Sequence, residues 1–212
     1  FGIAGAADIA ALQRLDYEAA VDRLLTGMRA EPITAPPPWI DEMPPTASDR
    51  KALTAAQRQD YNKAMRTRWE SLKQWWASEM LATPSPLTEH LVLFWHNHFV
   101  SEIKKVKWAG YMYSQNALFR RHALGNFAEL LRRMAKGPAM LIYLDGRTNR
   151  KGRANENFAR EILELFTLGE GRGYAEDDIA EAARAFTGWT IDPVSGAFVF
   201  NRTLHDEGTK SF

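Results

Sequence analysis

A chain of 212 residues that is 45% hydrophobic and 25% charged can bury a substantial core, and its composition is not that of a disordered segment. Its 27 Lys and Arg nearly balance 26 Asp and Glu; the resulting formal charge of +1 calls for no acidic partner and argues against a nucleic-acid binder. The absence of cysteine excludes disulfides, thiolate metal sites and a cysteine nucleophile.

No stretch approaches the roughly 18 apolar residues of a membrane span. No basic start leads into an apolar run, so the chain carries no signal peptide. The opening at Phe1-Gly2 and the close at Lys210-Ser211-Phe212 read as cuts through a longer protein.

In chain order, Asp16 is placed to cap a short helix whose Ala20, Val21, Leu24, Leu25 and Met28 share a face. Six of the ten prolines follow between Glu31 and Pro45, and Pro36-Pro37-Pro38 must be extended. The expected division is an N-terminal helical segment (1–31), a Pro-rich linker (32–48) and a helical core domain (49–212). Thr54 and Gln57 stand at capping-box spacing. Tyr61, Met65, Trp69, Leu72, Trp76 and Met80 then recur every three or four residues, which predicts a long helix ending before Pro84. Ser85-Pro86 reads as an N-cap with proline at the first helical position. The helix it opens, Leu87 to Val100, has almost no polar face and is expected to be buried.

Further helices are predicted over Trp108 to Leu124, from an Asn126 cap to Gly137-Pro138, from an Asn155 cap to Leu168, and over Ile179 to Phe186. A short apolar turn spans Ala139 to Leu144. Pro193 and Gly196 suggest a turn, and alternating Phe198 and Phe200 a strand. The predicted fold is mainly α: a multi-helix, orthogonal or bundle-like domain with a small β-hairpin near the C-terminal end.

Four clusters could carry chemistry. His96 and His98 lie about 200° apart on a helix, so the pair cannot chelate one ion there. His98 shares a side with Leu91, Phe94 and Trp95, which suits a hydrogen-bonded core histidine as well as a ligand or catalytic group. Asn157, Arg160, Glu161 and Glu164 share one helical face; paired carboxylates there can serve metal or acid–base chemistry, or simply be solvated. His205, Asp206, Glu207 and Lys210 surround Gly208 in a loop. Arg147, Arg150, Lys151 and Arg153 could hold a phosphate or sulfate, though such runs are more often mobile, hydrated surface. Phosphate-cradling glycine loops, dinucleotide fingerprints, His-Glu-x-x-His and Gly-x-Ser-x-Gly are missing.

An ordered series of motifs resembles the uncharacterised bacterial family known as domain of unknown function 1800. It runs through Phe94-Trp95-His96-Asn97-His98-Phe99, Asn155-Glu156-Asn157-Phe158-Ala159-Arg160-Glu161 and Leu165-Phe166-Thr167-Leu168-Gly169. Tyr174 with Asp178-Ile179, Ala183-Arg184-Ala185-Phe186-Thr187-Gly188-Trp189 and His205-Asp206-x-Gly208-x-Lys210 complete it. Leu87 to Lys210 is covered well, and the N-terminal third only loosely through Phe1-Gly2. Ala175 departs from the pattern, which often has Ser or Thr there; the lost cap would cost its helix about 1 kcal/mol.

The resemblance implies a bacterial protein that is exported, periplasmic or extracellular, longer than this chain, and often encoded beside a sulfatase-like protein as candidate partner. It singles out His98, Asn157, Arg160, Glu161, Arg184, His205, Asp206 and Lys210. The leading expectation drawn from it is a hydrolase-like enzyme acting on an anionic or cell-surface substrate. Glu161, His205 and Asp206 would be catalytic, and Arg160, Lys210, Asn157 and Arg184 would bind substrate. His98, Glu161, His205 and Asp206 would hold a divalent metal ion. The alternative is a non-catalytic helical module that binds a partner protein or surface glycan, with the same polar residues forming a packing network.

Overall fold

The computed structural model describes residues 5–212; the opening Phe1-Gly2 lies outside them. Among the described residues there are eleven α-helices and a two-stranded antiparallel sheet near the C-terminal end, as the patterning predicts. The first two helices are α1 (Ala6–Gln13) and α2 (Tyr17–Thr26); in the second, Asp16 accepts from the Ala19 amide as its N-cap. After α3 (Ala47–Ala52), the Thr54/Gln57 capping box opens the long α4 (Ala55–Ala82) with both reciprocal bonds formed.

The proline-rich segment lies strapped along α4. The Glu79 carboxylate accepts from the Ile33 and Thr34 amides, Trp75 Nε1 donates to the Thr34 carbonyl, and Trp108 Nε1 donates to the Glu42 carbonyl. Met65 of the predicted face is buried, and the strap adds Trp75 and Glu79, which the three-four spacing of the other apolar residues did not include.

Next come α5 (Pro86–His98), α6 (Ile103–Val106) and α7 (Ala109–Arg121). Pro86 occupies the first turn as expected, but Ser85 makes no capping bond, because its hydroxyl pairs with Thr88 Oγ1 at 2.7 Å. The expectation of an all-round buried α5 is corrected: Phe94 is half exposed, while Glu89 is fully buried. The reason is a charge pair. Arg120 on α7 grips Glu89 through Nε and Nη2 at 2.8 and 2.9 Å, and Trp76 Nε1 donates to the same carboxylate at 2.9 Å. Arg120 Nη1 also donates to Asn116 Oδ1, so the Asn116 amide is left to donate to His96 Nε2 at 3.1 Å.

The Asn126-capped α8 (Phe127–Ala135) and α9 (Pro138–Tyr143) complete the main core around Phe99, Phe119, Leu130, Met134, Leu141 and Phe158. The Ala139 to Leu144 stretch, read as a turn, is mostly helix α9. Last come α10 (Glu156–Glu164), α11 (Glu176–Ala185) and strands β1 (Trp189–Ile191) and β2 (Phe198–Phe200), with Trp189 paired to Phe200 and Ile191 to Phe198. Helix α10 stops short of Leu168, because the Phe166, Leu168 and Gly169 amides reach back five or six residues and Gly169 turns left-handed. At α11, Asp178 accepts from the Ala175 amide; alanine offers no hydroxyl for the reciprocal bond.

Candidate functional site

Helices α10 and α11 run antiparallel. Glu176, at the start of α11, pairs with Arg160 midway along α10, while the Ala183 carbonyl near the end of α11 accepts from Asn149 just before α10. Asn149 is the junction of this region. It is 2% exposed; its Oδ1 accepts from the Asn155 amide and its carbonyl from Gly188. Sequence reasoning passed over it, since a lone asparagine in a basic loop carries no signal of burial.

Three of the eight residues that the family pattern singles out, Arg184, Asp206 and Lys210, are engaged with one another. Arg184 holds Asp206 with two bonds, at 3.0 and 3.1 Å, and Glu181 at 2.6 and 2.7 Å. Lys210 donates to the Asp206 carbonyl, and the Gly208 amide to Asp206 Oδ1. The Arg184 guanidinium and then the Gly208 amide hold the Asp206 carboxyl down at about 2. Gly208 leaves room for this pair, since a Cβ would stand 2.6 Å from Arg184 Nη2 and the guanidinium would have to shift. The Asp206 amide donates to Thr187 Oγ1, and Thr187 Oγ1 to the Arg184 carbonyl. His205 Nδ1–H donates to the Thr187 carbonyl at 2.8 Å, since that oxygen can only accept. The Thr187-Gly188-Trp189 and His205-Asp206-x-Gly208-x-Lys210 blocks are thus one interlocked unit.

Arg160 fans Nη1 and Nη2 across Glu176, Glu164 and Glu156, which leaves only its Nε–H uncommitted. Glu161, on the same helix, has no ion-pair partner among the described residues; burial and then Glu164 push its pKa up, with Arg160 pulling it back. Asn157 occupies the first turn, its amide capped by Asn155. His98 is a hydrogen-bonded histidine: Nε2–H donates to the Phe166 carbonyl at 3.1 Å, and its ring packs on Phe99.

His98 therefore sits beyond the C-terminal end of α10, whereas His205 sits beside its N-terminal end, where the Lys151 amide donates to the Leu204 carbonyl. Nine helical residues span about 14 Å. That separation is why His98, Glu161, His205 and Asp206 do not assemble as a metal site, and among the described residues no three His, Asp or Glu side chains do. These residues do not fit a bound divalent ion.

The basic loop is exposed, as a surface run would be, but it is tied to its surroundings. A 3-10 turn (Gly146–Thr148), buried Asn149, the Lys151–Leu204 bond and an Arg150–Arg153 turn hold it at several points. Gly152, at φ 73°, supplies the left-handed third position that a type II turn requires. Held this way, Arg147, Arg150 and Arg153 line one cleft of about 710 Å³ at the entrance to α10, with Asn155 and Glu156 on the same wall. Among the described residues none of the three has a carboxylate partner, and Glu156 is already drawn to Arg160. The arrangement can receive an oxyanion on planar guanidinium forks, with the helix N-terminus adding favourable potential.

A helical domain with an interlocked motif region and an unclaimed arginine cleft is the class that these features define. The profile of the family described as "Protein of unknown function (DUF1800)" matches residues 1–212, and the chain belongs to that family. The match extends through the N-terminal third, where the motifs had given only a loose likeness. No curated protein and no solved structure matches the chain.

Proposed function

We propose that this chain is a non-catalytic helical binding module that takes an oxyanion group of a larger ligand, sulfate, phosphate or carboxylate, in the Arg147–Arg150–Arg153 cleft. The observation that carries the reading is a division of labour among arginines: those of the family motifs are committed to carboxylates, and those of the cleft are not. A cleft of about 710 Å³ matches the usual size of a small-molecule site and exceeds the needs of one tetrahedral ion, so the oxyanion is a substituent. By the family resemblance the module works outside the cytoplasm, with a sulfatase-like protein encoded nearby as its candidate partner.

Calorimetric titration with a sulfated monosaccharide and its unsulfated parent tests this. Saturable binding of the sulfated sugar alone, lost in Arg147→Gln/Arg150→Gln/Arg153→Gln, is expected; equal behaviour of the two sugars would overturn it. The competing hydrolase reading keeps one observation on its side, the unpaired Glu161 with its raised pKa. Turnover of a sulfate-, phosphate- or carboxylate-ester substrate, abolished by Glu161→Gln, would favour that reading instead.

A further inference from the structure

The arginine cleft is one end of a longer basic surface. Arg147 also walls a second cleft, of about 410 Å³, together with Arg50, Lys105 and Lys107. Arg50, Tyr61 and Lys107 in turn wall a third cleft of about 530 Å³, together with Arg58 and Arg66. Each cleft shares wall residues with the next, so the three form one track. The charge along it is lopsided in a chain of nearly balanced charge. Glu156 is the single carboxylate among all the residues lining the three clefts, and it belongs to Arg160.

Seven cations on this track, Arg50, Arg58, Arg66, Lys107, Arg147, Arg150 and Arg153, are exposed and paired with no carboxylate among the described residues. Lys107 sits at φ 62°, a left-handed position where glycine or asparagine is the less strained choice; lysine supplies there a charge that neither could. In the third cleft stands Trp69, whose Nε1–H is the one buried side-chain polar atom without a partner among the described residues.

We infer that the track binds an acidic polysaccharide, threading successive sulfate, phosphate or carboxylate groups through the three clefts. This rests on the oxyanion reading of the first cleft and extends it to a polymer. Shape and chemistry favour a glycan over a nucleic acid. A duplex is read by a convex helix or ribbon entering its groove, whereas these cations line concave walls. Single strands need exposed aromatic faces for their bases, and here Trp108 and Tyr111 are buried and Tyr61 is only half open. Six of the seven cations are arginines, whose planar forks pair with oxyanions in two-bond geometry. The first cleft alone cannot reward length, but three in series can, because each added contact is intramolecular.

The test uses fluorescent dextran sulfate, plain dextran and oligothymidylate, titrated into the whole chain, with inorganic sulfate as a short probe. Dextran sulfate should bind with steep salt dependence and plain dextran should not. Arg50→Gln/Arg66→Gln should weaken dextran sulfate at least tenfold while leaving inorganic sulfate binding within twofold. Both positions are exposed, so unchanged circular dichroism and melting will confirm that folding is intact. Loss of dextran sulfate binding in Arg147→Gln/Arg150→Gln/Arg153→Gln, with no effect of the far-end pair, would overturn the track and keep the first cleft. No effect of either set would overturn both. Tighter binding of oligothymidylate than of dextran sulfate would overturn the glycan assignment.

Discussion

Arg120 and Arg147 show two uses of one side chain in the same molecule. Arg120 is fully buried between α5 and α7, and its nitrogens are spent on Glu89 and Asn116. Arg147 lies on a held loop and makes no ion pair among the described residues, beside Arg150 and Arg153. The first arrangement fixes how helices pack; the second leaves charge available to something outside. The C-terminal motif region follows the first pattern, since Arg184 and Arg160 are surrounded by Asp206, Glu181, Glu176 and Glu164. A polar residue singled out by its family can therefore be there to hold the fold, and an arginine without a motif can be the one that meets a ligand.

The largest expected effect comes from the committed set. Arg120→Met strands the Glu89 carboxylate in the core and should cost about 3–5 kcal/mol, measured by urea unfolding. Adding Glu89→Leu should recover part of that loss, because no charge is then left unpaired. An equal loss in the double variant would mean that packing, not charge, dominates the site.

The second effect is pH-dependent and lies in the same buried region. Burial, with Arg120 nearby, holds His96 down to about 4. The unfolded chain takes up that proton first, at about 6.5, so stability is full above pH 6.5 and falls as the pH drops toward 4. The loss attributable to His96 is about 3 kcal/mol. It should appear as the difference between the stability–pH curves of the wild type and His96→Gln, and superimposable curves would rule it out.

A smaller effect is expected at the motif junction. Gly188 has φ 84°, and a Cβ there would lie 2.5 Å from the Asn201 carbonyl oxygen. Gly188→Ala should cost about 1–3 kcal/mol in thermal unfolding and loosen the His205 loop. The smallest effect belongs to the uncommitted set: Arg147→Gln/Arg150→Gln/Arg153→Gln should change folding stability by no more than about 0.5 kcal/mol by urea titration. A larger loss would mean that these arginines are structural after all.

What was legible in the sequence follows the range of the interaction. The Thr54/Gln57 box and the Asp16, Asn126 and Asn155 caps involve partners two or three residues apart, and all formed as read. The hairpin was visible in Pro193, Gly196 and the Phe198/Phe200 alternation. The Glu89–Arg120 pair, 31 residues apart, left no local trace, nor did the strap of Ile33 and Thr34 on Glu79. Family motifs named Arg184, Asp206 and Lys210, but a motif does not say which partner each takes; the hydrogen bonds do. The arginine cleft was half legible: Arg147, Arg150 and Arg153 stood out as basic, while the anchoring of their loop by Asn149 and Leu204 appears only in three dimensions.

The most direct test of this division is side-chain NMR of the chain carrying 15N-labelled arginine, titrated with inorganic sulfate at constant ionic strength. The Nε–H resonances of Arg147, Arg150 and Arg153, assigned by single Gln substitutions, should shift together and saturate, while those of Arg120, Arg160 and Arg184 stay fixed. Movement of Arg160 or Arg184 with a silent cleft would contradict the account and return the candidate site to the family motifs.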